Sequence, residues 1–164
     1  LGSSMGFMGS INTLVDDMAK VRPTFLIAVP RVFNRIYDGL WKKMNEEGGL
    51  AKALFVMGVE AAKEKRQLAE KGQSSFITNL KFAIADKIVF QKIRDKFGGR
   101  LKGSMTASAM MNMEIALFFF DIGIPVYDCY GMTETSPGIA MNCPSDYRLG
   151  SVGRAIDKVK IVID

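Results

Sequence analysis

The sequence predicts an α/β fold, part of a larger unit with a parallel sheet and several helices, leading into a β-rich region near its end. Three observations carry this. Thr24 to Val29 is a short β-rich apolar run of the length of a buried strand. From Pro30 to Phe97, apolar residues recur at helical spacing. From Arg100 the rhythm shortens into strand, helix and strand, an order that implies a right-handed βαβ unit.

In chain order, Leu14 to Ala19 reads as a short helix capped by Asn12 or Thr13. The Thr24–Val29 strand follows. Pro30 suits the first turn of the next helix, where its missing N–H has no partner to lose. Val32, Phe33, Ile36, Leu40 and Met44 form its apolar stripe, and Gly48-Gly49 ends it. A second long helix is expected from Leu50 to Lys71, with Leu50, Leu54, Met57, Ala61 and Leu68 inward and Gly72 as the stop. A third is expected from Phe76 to Phe97, with Leu80, Ile84 and Ile88 inward and Val89 and Ile93 just off the row. Gly98-Gly99 closes it. Leu101 to Met105 reads as a strand, Asn112 to Ile122 as a helix and Ile124 to Tyr130 as a strand. Tyr130 therefore falls at the carboxyl edge of a parallel sheet, where ligands of such sheets bind. Beyond Pro137 the chain reads as loop, then as a strand from Val159 to Ile163. Residues 1–147 are assigned to the α/β unit and 148–164 to the start of the β-rich one. Trp41 is expected in the core or an interface.

With 48% hydrophobic and 24% charged residues among 164, the composition is that of an ordinary globular domain. Leu1 at one end and a strand-like run at the other read as cuts through a longer polypeptide. No run of apolar residues is long enough to span a bilayer, and Leu1 to Leu14 lacks the features of a signal peptide. Cys129 and Cys143 are too few for a disulfide framework and lack metal-ligand spacing, which fits a reducing, cytoplasmic setting. Histidine is absent, which removes the commonest general base, the Ser-His-Asp and Cys-His systems and any histidine-based zinc site. Chemistry is left to carboxylates, hydroxyls, backbone amides or a bound metal.

The net charge is +5, and residues 60–102 alone hold eleven basic side chains against five acidic ones. Two readings stay open for these basic helices: a solvated face, or peripheral contact with an anionic membrane surface. No nucleic acid is expected as a partner, because the basic residues belong to no binding motif.

Tyr130 to Ser136 is the segment that could carry chemistry. Gly131 permits an unusual backbone angle or a close approach. Thr133, Thr135 and Ser136 bring hydroxyls, and Glu134 is the sole charged side chain between Cys129 and Ser145. A carboxylate among hydroxyls suits Mg²⁺ carried on phosphate oxygens, and the Tyr130 ring suits stacking on a purine. The competing reading is a hydroxyl-rich turn in which Glu134 caps a neighbouring amide.

Tyr130-Gly-Met-Thr-Glu-Thr-Ser-Pro137 resembles the Y-G-x-T-E core motif of the adenylate-forming, AMP-binding superfamily of acyl-CoA synthetases and adenylation domains. Arg22-Pro-Thr24, Ala28-Val-Pro-Arg-Val32, Phe97-Gly-Gly-Arg-Leu101, Gly123-Ile-Pro-Val126 and Gly150-Ser-Val-Gly-Arg154 extend the resemblance, in order, along the chain. The helices between Pro30 and Phe97, including Ala85-Asp-Lys-Ile-Val-Phe90, are most similar to long-chain fatty acyl-CoA synthetases. The resemblance implies part of the N-terminal domain of an enzyme that joins a fatty acid to coenzyme A with ATP and Mg²⁺. It implies that Thr133 contacts phosphate, that Glu134 holds Mg²⁺, and that Tyr130 packs on adenine beside the backbone of Asp128 and Cys129. Gly131 and Met132 complete that nucleotide wall. Ala107, Ser108 and Ala109 occupy the family's Gly-rich loop next to adenine and the acyl carboxyl, in Thr106-Ala-Ser-Ala-Met110. Both glycines are missing there, so any positive φ in this loop is strained. The family's phosphate loop and C-terminal lysine are absent from these residues, so the remainder of the parent polypeptide is an implied partner and this chain alone is expected to be inactive. Ligases for aryl, medium-chain or amino-acid carboxylates, or a non-catalytic nucleotide- or lipid-binding module, are the alternatives. Met105, Met110, Met111 and Met113 fit either core packing or the lining of an acyl tunnel.

Overall fold

A computed structural model describes residues 2, 4–7, 9–10 and 13–162. The elements run α1 (Leu14–Val21), β1 (Phe25–Ile27), α2 (Pro30–Glu47), α3 (Gly49–Glu70), α4 (Phe76–Ala85), α5 (Gln91–Lys96), β2 (Gly103–Thr106), α6 (Met113–Asp121), β3 (Val126–Gly131), β4 (Gly138–Met141) and β5 (Arg154–Ala155). A π-helical turn, Asp86–Phe90, joins α4 to α5, and a 3₁₀ turn, Thr133–Thr135, joins β3 to β4.

The five strands form one sheet in chain order. β1, β2 and β3 are parallel, as a βαβ arrangement demands, with α2 to α5 in the first crossover and α6 in the second. β4 and β5 are antiparallel additions. β4 lies in a stretch that reads as loop, and β5 replaces the strand expected at Val159–Ile163. No strand occurs from 159 to 162, and Ile163 lies outside the described residues, as does Asn12, the alternative cap of α1. Thr13 precedes α1 without a capping side-chain bond. Asn112 caps α6 through Oδ1, which accepts from the amides of Glu114 and Ile115 at 2.8 and 3.4 Å.

The core is aromatic. Phe33, Phe55, Phe90 and Phe119 are fully buried, and rings of α2, α3 and α6 meet edge to face. Trp41, half-buried, packs against the core on Phe55 with ring centroids 4.9 Å apart. Two charged ties hold the helices around α6: Arg66 Nε lies 2.9 Å from Asp121 of α6, while Arg94 bridges Asp86 at 2.6 Å and donates to the Ile122 carbonyl.

Two inward stripes differ from those expected. In α3 the buried positions are Phe55, Gly58, Ala61 and Ala62, whereas Leu50 is exposed and Leu54, Met57 and Leu68 are half-buried. Gly58 is the reason: a Cβ there would stand 2.5 Å from the Ala85 Cβ, so α3 and α4 cross at their small residues. In α4, Leu80 and Ile84 face solvent, as does Ile88 in the π-helical turn. The inward row is Thr78, Phe82 and Ala85, then Phe90, Ile93 and Phe97. The five-residue step from Ala85 to Phe90 is the π-helical turn, which displaces the row by one position.

Candidate functional site

The site grows from the carboxyl ends of β2 and β3. Their parallel register sets Thr106 opposite Asp128, so the loop that leaves β2, Ala107-Ser-Ala109, emerges beside Cys129 and Tyr130. The Cys129 thiol donates to the Thr106 carbonyl at 3.3 Å across this join. Two segments far apart in sequence thus become neighbours.

Ser108 takes φ +75°, the left-handed backbone that glycine adopts without strain, so the conflict foreseen for this loop is present at one residue. Ala107 is half-buried, and Ser108, Ala109 and Met110 are exposed. Met111 is buried in the core while Met110 is 92% exposed, so the four methionines do not act as one lining. At the head of the loop, the Thr106 hydroxyl is buried without a hydrogen-bond partner among the described residues.

β3 continues to Gly131 and turns back as a hairpin, with Tyr130 opposite Ala140 and a bulge between Tyr130 and Gly131. Gly131 is needed for a close approach, but to its own chain: a Cβ there would collide with the Pro137 carbonyl. The 3₁₀ turn is held by Thr135, whose hydroxyl accepts from the Met132 amide at 3.1 Å and lies 2.8 Å from both the Met132 and the Pro137 carbonyls. Thr135 is therefore consumed by the turn. Thr133 and Glu134 are exposed at its tip, and neither side chain has a hydrogen bond or ion pair among the described residues. The capping role considered for Glu134 is taken by Thr135. Tyr130 and Met132 present 46% and 43% of their surface, beside the tip.

Burial without a compensating cation raises the Asp128 carboxyl above its usual range. Burial, then the neighbouring Asp128 carboxylate, raises the Cys129 thiol and leaves it a poor nucleophile. Asn142, which sequence reasoning passed over, is 4% exposed and anchors the back of the site. Its Nδ2 donates to the Asp128 and Ser151 carbonyls, and its Oδ1 accepts from the Arg148 amide at 2.8 Å. An asparagine within a Pro- and Ser-containing loop gives no sign of this, because each partner is a backbone group.

Among the described residues no group of three His, Cys, Asp or Glu side chains could cage a metal. A lone exposed carboxylate such as Glu134 fits a divalent ion whose other ligands are phosphate oxygens and water.

The profile of the family described as AMP-binding enzyme matches residues 1–164. The chain belongs to that family. Among relatives of this AMP-binding chain, Long chain acyl-CoA synthetase 3 of Arabidopsis thaliana is 34% identical over 99% of the chain and 24% of its own length. Fatty acyl-CoA synthetase A of Dictyostelium discoideum is 34% identical over 93% of the chain and 22% of its own length. A solved structure, the anthranilate CoA ligase AuaEII in complex with anthranoyl-AMP, aligns at a TM-score of 0.48 and 15% identity, over 90% of this chain and 19% of that one. The chain spans about a quarter of the length of the curated relatives it matches.

Proposed function

We propose that the polypeptide carrying this chain is an ATP-dependent long-chain fatty acid–CoA ligase, and that residues 107–109 and 128–134 form one wall of its adenylation site. The observation that carries this is the pairing of β2 with β3 in an AMP-binding chain, which sets both segments on one sheet edge. The relatives named as long-chain and fatty acyl-CoA synthetases support the acyl class. The cysteine usage supports a cytoplasmic setting. We place the boundary to a following β-rich subdomain near residue 148.

In this reading the fatty carboxylate attacks the α-phosphorus of ATP and pyrophosphate departs. The thiolate of coenzyme A then attacks the acyl carbonyl and AMP departs. The Thr133 hydroxyl donates to a phosphate oxygen, and Glu134 would hold Mg²⁺, which would supply positive charge against the phosphates. Tyr130 packs on adenine, with Asp128, Cys129, Gly131 and Met132 along its edge and Ala107-Ser-Ala109 opposite. Such a site works by placement and charge stabilisation, which suits a chain without histidine.

Pyrophosphate release from palmitate, ATP and Mg²⁺ tests the reading. The full polypeptide is expected to turn over and the isolated 164 residues are not. Glu134→Gln in the full polypeptide is expected to slow adenylation by roughly a hundredfold to a thousandfold. An unchanged rate and metal dependence removes Glu134 from the mechanism. Faster turnover of benzoate, octanoate or an amino acid than of palmitate overturns the acyl class.

A further inference from the structure

A pocket of about 320 Å³ opens where α1, α2 and α5 meet, and none of its lining residues belongs to 107–109 or 128–134. Its floor is apolar and buried: Leu14 of α1, Val32 and Leu40 of α2, Ile93 of α5 and Phe97 just beyond it. Arg35, Lys43 and Lys96 also line it, and no acidic side chain does among the described residues. Glu47 lies 3.5 Å from Lys43 and offsets one of these charges, while Asp17 of α1 accepts from the Thr13 hydroxyl at 2.8 Å. Lys43 and Lys96 stand side by side, and the contact with Lys43, then burial, holds the Lys96 amine below its usual range. An anion set against both amines would relieve that opposition.

Gly39 keeps the pocket open. Arg35, Gly39 and Lys43 follow one another at four-residue steps, so they form one row on α2 and the glycine leaves a gap between two cations. Glycine inside a helix weakens it relative to alanine. At Gly58 the tight crossing with α4 requires one, whereas a Cβ at Gly39 would meet nothing within 4 Å. Packing therefore gives no reason for Gly39, and the room it leaves lies over the apolar floor. A bare inorganic anion would leave that floor unused, and an uncharged hydrocarbon would leave the two amines opposed.

We propose that this pocket is a second ligand site that takes a small amphiphilic anion. Its aliphatic body would lie on Leu40, Ile93 and Phe97, and its single carboxylate or phosphate head would meet Lys43 and Lys96. The proposal goes beyond the ligase reading and is tested without ATP or coenzyme A, so either can fail alone. The full polypeptide is irradiated with diazirine-bearing decanoate, decyl phosphate or decanol, and the adducts are mapped by mass spectrometry. Adducts of one or both anions, and not of decanol, are expected within residues 14–15, 32–43 or 93–97, and the anion that labels more strongly identifies the head. Gly39→Leu, which fills the gap, and Lys43→Gln/Lys96→Gln, which removes the charges, are each expected to lose this labelling at least about tenfold. Adducts elsewhere and the melting temperature of Gly39→Leu are expected to hold. Absence of wild-type adducts in these segments, equal labelling by decanol, or undiminished labelling of either variant overturns the proposal. A lower melting temperature of Gly39→Leu also overturns it, since the gap is then filled by the polypeptide itself.

Discussion

Ser108 holds a left-handed backbone where its Cβ crowds the following carbonyl, a strain of about 1 kcal/mol that glycine avoids. Ser108→Gly is therefore expected to raise unfolding stability by up to about 1 kcal/mol, read by urea denaturation. A fall instead shows that the serine side chain has a compensating role in this loop. Asp128 gives a pH-dependent counterpart. Its carboxyl is raised in the folded state, so its contribution is favourable below the unfolded pKa and is lost as pH rises through the folded one. Asp128→Asn is expected to raise Tm at neutral pH, and the gain should vanish as pH falls below 3.8, the group's ordinary value. At this scale Tyr130–Pro137 was legible as a hydroxyl-rich turn at the end of a strand, and the strain in 107–109 because both expected glycines are missing. The roles of Thr135 and Asn142 were not legible. Each depends on carbonyls and amides that only the hairpin and the following turn bring within reach.

The elements were legible wherever period and punctuation agree. Pro30 and Gly48 bound α2, and Asn112 caps α6 at its expected start. Inward faces were legible only where the core takes large residues. α3 and α4 meet through Gly58 and Ala85, so their contact is written in small side chains, while Leu50, Leu80 and Ile84 point outward. Hydrophobicity alone therefore misplaces Leu50, Leu80 and Ile84, though it places Ala61 correctly. Gly58→Ala is expected to cost about 1–2 kcal/mol despite the better helix propensity of alanine, since its methyl group meets the Ala85 Cβ and the Phe90 ring. Thermal unfolding checks this, and a stabilised variant refutes the tight crossing. β4 was missed because Pro137 and Gly138 read as loop formers, and its pairing partner lies across a turn whose closure the residues do not advertise.

Across the whole molecule, helices cover one side of the parallel strands, while Phe25 and Ile27 of β1 look away from the core that Leu26 joins. Between β1 and β2 the chain makes four helices and one π-helical turn before returning to the sheet, and that turn sets which codons the gene can lose. Deleting Lys87 shortens the five-residue step from Ala85 to Phe90 to the ordinary four. Phe90, Ile93 and Phe97 stay in phase with Thr78 and Ala85. Deleting Lys81 instead swings the two halves about 100° apart. The first deletion is expected to melt near wild type and the second well below it, making the turn a tolerated scar for indels inside a segment that otherwise rejects them.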